Sequence, residues 1–152
     1  MQGNTLVKLV IAAAVLFLLW KEVLPRMTKN ETAKPAEGTS AGTNCVFEAR
    51  GASDYWGGTL GHFANPPYDM QAWDDFKSKV DARIGRAEEK CSCEQDACKL
   101  GKQAVDELRG LVGEMDSAIH NGSSPPSDAV QRQERIDNAI DDASAAAERQ
   151  KV

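Results

Sequence analysis

The sequence predicts an all-α protein: an N-terminal transmembrane helix, a flexible linker, and a small disulfide-stapled three-helix bundle or helical hairpin. Three observations lead there. An uncharged apolar run, Leu9 to Trp20, stands near the N-terminus. Apolar residues recur at helical spacing from Asp69 almost to the end. Four cysteines, an even number, lie between these helical stretches and just before them.

The apolar run is extended by Leu6 and Val7, with Lys8 and Lys21 at its two edges and Trp20 at an interfacial position. Pro25 ends any continuing helix. A cleaved signal peptide wants small residues after the run. Trp20, Lys21, Glu22 and Val23 stand there instead, so residues 1–26 are read as an uncleaved single-pass anchor. The stretch 27–44 is rich in Thr, Ala, Gly and Lys, has no apolar period, and reads as a linker. Residues 45–68 are glycine- and aromatic-rich and read as a loop segment.

The helical bundle is expected over 69–150, with helices at about 69–90, 93–120 and 127–148. Pro66 and Pro67 precede the first, Asp69 can cap it, and Trp73, Phe76, Val80, Ile84, Ala87 and Cys91 form its stripe. Ser92 and Gln95 read as a capping box for the second. Its broad face (Ala97, Leu100, Ala104, Val105, Leu108, Leu111, Val112, Met115, Ala118, Ile119) makes it the central helix, and Asn121-Gly122 stops it. The third, with Ser127 as candidate cap, carries the thin stripe Ala129, Gln133, Ile136, Ile140, Ala143 and Ala147.

Cys91, Cys93 and Cys98 form C-x-C-x4-C across the first interhelical turn, and Cys45 lies upstream. Cys91 ends the first stripe and Cys98 lies on the seam Cys98, Val105, Val112, Ile119. Pairing Cys91 with Cys98 would staple the hairpin and leave Cys93 for Cys45. That pairing is preferred, with the other connectivities open. Structural disulfides imply an oxidising compartment. The basic residues Lys21, Arg26, Lys29 and Lys34 following the anchor argue for a cytoplasmic domain instead. The cysteines are given precedence, which puts the C-terminal domain outside the cytoplasm. Four thiolates holding zinc, or a redox thiol at Cys93, are the competing uses.

The run Cys91-Ser-Cys-Glu-Gln-Asp-Ala-Cys98, flanked by amphipathic helices, resembles the C-x-C-x4-C hairpin of uncharacterised envelope proteins of the myxobacterial type, over Trp73 to about His120. The resemblance implies a bacterial envelope location and a helical, disulfide-stapled fold. This chain departs from it in carrying an anchor helix rather than a lipidated cysteine.

The net charge is −5, with acids and bases interspersed, which argues against nucleic-acid binding. His62 and His120 lack nucleophile partners in any triad-like motif, and adjacent acids such as Asp74-Asp75 point to different sides of a helix. No phosphate-binding or zinc-protease motif occurs. The expectation is a non-enzymatic, membrane-anchored envelope protein without cofactor or resident metal. It would bind or scaffold other envelope or membrane proteins through Tyr55, Trp56, His62 and Phe63, with the third helix as a second surface. The alternative is a thiol-redox or zinc-binding module using Cys45, Cys91, Cys93 and Cys98.

Overall fold

The computed structural model describes residues 40–150, and the described residues form helices without strands. The expected anchor, and the linker up to residue 39, lie outside the described residues. Among the described residues no helix is long and apolar enough to cross a membrane.

Among the described residues four helices follow one another: α1 (Ala41–Leu60), α2 (Met70–Lys90), α3 (Asp96–His120) and α4 (Ala129–Arg149), with a 3-10 turn at Gly61–Phe63 after α1. The short connections make successive helices antiparallel. The inner pair is α1 and α3; α2 and α4 lie on opposite sides of it, each packed on both.

The three expected helices are present, and α1 is added to them. The stretch 45–68 is therefore no loop: most of it is helical, and the last linker residues join the same helix. Ser40 begins α1, its hydroxyl accepting the Thr43 amide at 3.2 Å. The buried residues Gly42, Cys45, Ala49, Ala52 and Trp56 recur every three or four positions, with Ser53 beside Ala52 on the same face. Most of these side chains are small, which brings α1 close to three neighbours. At Gly42 a Cβ would sit 2.7 Å from the Gln95 side-chain oxygen and 2.9 Å from the Ala97 methyl. The Gly42 amide instead donates to Gln95 Oε1 at 2.7 Å.

That bond corrects the expected capping box. The Gln95 side chain is committed to α1, and Ser92 Oγ donates backwards to the Glu89 carbonyl at 2.7 Å. Ser92 thus closes α2, and α3 starts at Asp96 without a side-chain cap. Asp69 caps α2 through the Ala72 amide at 3.0 Å. At the far end of α3, Gly122 adopts φ +63°, and the amides of Gly122 and Ser123 bond back to the carbonyls of Ile119 and Ala118. This is a Schellman stop. Helix α4 is preceded by Asp128 rather than capped by Ser127, because the Ala129 amide already bonds the Pro126 carbonyl.

The core runs the length of the bundle: Trp56, Trp73, Val80, Ile84, Leu108, Leu111, Met115, Ile136 and Ile140 are all essentially inaccessible. The alanine end of α4 is packed. Ala146 and Ala147 are buried with Ala97 against Val46 and Leu100. Polar groups fix how α4 sits. Ser53 Oγ donates to Asp137 Oδ1 at 2.8 Å, and Gln133 Nε2 donates to Ser53 Oγ at 2.7 Å. Arg132, nearly buried, bonds Glu107 at 2.9 Å and Glu114 at 2.8 Å across to α3. Its hydrogen bond holds the Glu107 carboxyl below the usual carboxylate range.

Gly101 marks the tightest contact. A Cβ there would overlap Cys45 Sγ and lie 3.2 Å from Cys91 Sγ. Helix propensity favours alanine over glycine by up to about 1 kcal/mol, whereas overpacking a core costs about 1–3 kcal/mol. Gly101→Ala is therefore expected to destabilise the domain. Gly113→Ala, with nothing within 4 Å of the added methyl, is expected to stabilise it. Urea midpoints of the two variants check the opposite signs; two shifts of the same sign would refute the close approach at Gly101.

Candidate functional site

The two ends of the bundle differ in chemistry. One is closed by cysteines. Cys45 of α1 bonds Cys91 at the end of α2, with Cα atoms 4.6 Å apart. Cys93 bonds Cys98, with Cα atoms 5.6 Å apart. The preferred pairing of Cys91 with Cys98 and Cys45 with Cys93 is thus corrected. With α3 starting at Asp96, Cys98 lies in its first turn, within reach of Cys93 just ahead of it. Because Cys45 sits on a helix rather than a loop, it is held opposite Cys91. All four sulfurs are in disulfides. Among the described residues no group of three or more His, Cys, Asp or Glu is arranged to hold a metal ion.

The other end carries the aromatic cluster. Trp56 is fully buried, stacked on Phe76 at 5.8 Å and edge-on to Trp73 at 6.4 Å. Phe63 is buried against Trp73 at 5.1 Å and Phe76 at 5.5 Å. Neither can form the contact surface expected of Tyr55, Trp56, His62 and Phe63; they fill the core instead. The reason is the helical register of α1, which puts Trp56 on the same face as Cys45, Ala49 and Ala52. Tyr55, one position round, is half-buried under the Arg83 guanidinium, whose carbon lies 4.4 Å from the ring centroid. His62 is exposed on the 3-10 turn. The four residues therefore do not form one patch.

The remaining aromatic polar groups secure this end. Trp73 Nε1 donates to Asp116 Oδ1 at 2.7 Å, and the Tyr68 hydroxyl donates to the Ser123 carbonyl at 2.8 Å. His120 Nδ1 lies 2.9 Å from the Asp116 carbonyl in the last turn of α3, the helix-terminus position expected of it.

Beside the buried aromatics lies a groove of about 500 Å3. Leu60 and Ala64 form one wall, Pro125 and Pro126 another, and Met115, Ala129 and Val130 line it from α3 and α4. No charged residue lines it. Val130 at its rim is 65% exposed, the most exposed of the large hydrophobic side chains that reach solvent among the described residues. Val130 falls one position outside the α4 stripe. The rest of the groove is assembled from three segments distant in sequence. Comparison with known protein families, with curated proteins and with solved structures finds no match to this chain.

Proposed function

We propose that this chain is a non-enzymatic, membrane-anchored interaction module of the cell envelope. In this reading its helical domain lies outside the cytoplasm and takes an apolar side chain of a partner protein into the groove between Leu60, Pro126 and Val130. The observation that carries the reading is this groove: an uncharged concavity with an exposed valine at its rim, on a domain whose other large apolar side chains are almost all buried. Concave apolar pockets anchor partner side chains at interfaces. Pro125 and Pro126 supply no amide hydrogens, so one wall is unsuited to pairing with a strand; insertion of a side chain is the compatible mode. The two disulfides support an oxidising compartment, and the apolar run Leu9 to Trp20 supports a single-pass anchor.

The test is a photo-crosslinking residue at position 130 of the full chain in its native membranes, with position 99 as control. Lys99 is exposed near the disulfide end. A discrete protein adduct from position 130, lost on Leu60→Glu, is the expected result. No adduct, or the same adducts from position 99, would reject the groove as the contact surface.

A further inference from the structure

The two disulfides are neighbours, yet they differ in what governs thiol exchange. Cys45 and Cys91 are buried, at 0% and 2% exposure, and bridge residues 46 apart in sequence. Cys93 is half-exposed, its partner Cys98 is buried, and only 5 positions separate them. Exchange needs a thiolate to reach a sulfur, so access selects Cys93.

We propose that Cys93–Cys98 is a dithiol-exchange site and that Cys45–Cys91 is the structural bond that lets it open without loss of the fold. A thiolate of a protein or small-molecule dithiol attacks Cys93 Sγ. The Cys93–Cys98 bond breaks, a mixed disulfide forms at Cys93, and Cys98 leaves with the electron pair and takes up a proton. The second thiol of the dithiol, deprotonated, then attacks its own first sulfur and expels Cys93, which is protonated in turn. The dithiol has become a disulfide, and Cys93 and Cys98 are reduced by two electrons. A more oxidising low-molecular-weight disulfide, such as glutathione disulfide, restores the bond by the reverse steps.

The surroundings fit a bond that opens locally. Cys93 lies in the connector between α2 and α3, and both flanks of that connector are held without it. Ser92 Oγ is bonded to the Glu89 carbonyl, and the Gln95 side chain to the Gly42 amide. Cys98 is fixed by the first turn of α3, its amide on the Gln95 carbonyl at 2.9 Å. Once Cys93 carries a mixed disulfide, Cys98 stays in place as the resolving thiol. This inference is independent of the groove at the opposite end.

The experiment uses the full chain in detergent. Graded dithiothreitol, rapid alkylation and peptide mapping are expected to label Cys93 and Cys98 on the order of tenfold or more sooner than Cys45 and Cys91. Helicity by circular dichroism should not change while only the first bond is open. A reduced dithiol peptide should lose thiols one for one with their appearance at Cys93 and Cys98. With glutathione disulfide as probe, Cys98→Ser should form a glutathione adduct at Cys93, and Cys93→Ser none at Cys98. Opening of Cys45–Cys91 first or simultaneously would overturn the proposal. So would helix loss on opening Cys93–Cys98, no oxidation of the peptide, or equal adducts at both cysteines.

Discussion

Trp56→Ala is expected to cost about 3–5 kcal/mol, the range for truncating a fully buried large aromatic side chain. In a domain of this size that is a large part of the total stability, which is commonly about 5–15 kcal/mol. The indole is inaccessible and touches Phe76 and Trp73, which themselves hold Phe63. Its removal therefore opens a cavity at the centre of the aromatic end. Trp56→Phe is expected to be much milder. The Trp56 Nε1 hydrogen is buried without a hydrogen-bond partner among the described residues, so the indole carries an uncompensated desolvation cost of about 1–3 kcal/mol that phenylalanine removes. Urea unfolding followed by far-UV circular dichroism separates the two variants. A Trp56→Ala midpoint close to that of the parent would contradict the burial of this side chain.

The second large effect is covalent. Replacing Cys45 and Cys91 together by alanine is expected to cost about 4 kcal/mol, from the loop entropy of a bridge spanning 46 positions. The same replacement of Cys93 and Cys98, which span 5, is expected to cost about 2 kcal/mol. The buried location of Cys45 and Cys91 adds to the difference, since alanine leaves unfilled space where the sulfurs were. Unfolding of the two double variants under identical non-reducing conditions gives the order directly. A larger loss from the Cys93–Cys98 pair would show that loop length does not govern these bonds.

How much of this was legible from the residues alone depended on side-chain size. Helices α2 and α3 announced themselves through large apolar residues at helical spacing, α4 through a thinner stripe of isoleucine and alanine, and these stripes supply most of the buried faces seen in the fold. Helix α1 carries the same period, but in Gly42, Cys45, Ala49 and Ala52, where a hydrophobic pattern is faint. Gly51, Gly57 and Gly58 lower its intrinsic propensity further. Tertiary contact with three neighbours overrides that propensity. The error at α1 then propagated. With Cys45 assigned to a loop and α3 begun three positions early, the sulfur pairing came out wrong, and Trp56 and Phe63 seemed free to face a partner. The groove had no sequence signature of its own, because Leu60, Pro126 and Val130 meet only once the chain has turned back on itself twice.

Cys45–Cys91 also has a mechanical consequence. Tension applied between Ser40 and the C-terminal end of α4 would run through the covalent bridge from Cys45 directly to Cys91, 46 positions further on, bypassing the chain between them. Helices α1 and α2 would then be shielded from the load. Pulling could draw out little beyond the first turn of α1 at that end, and extension would have to come from α3 and α4. A tether joined at Ser40 would therefore transmit force to the domain as to a closed ring rather than as to a thread that unravels from its end.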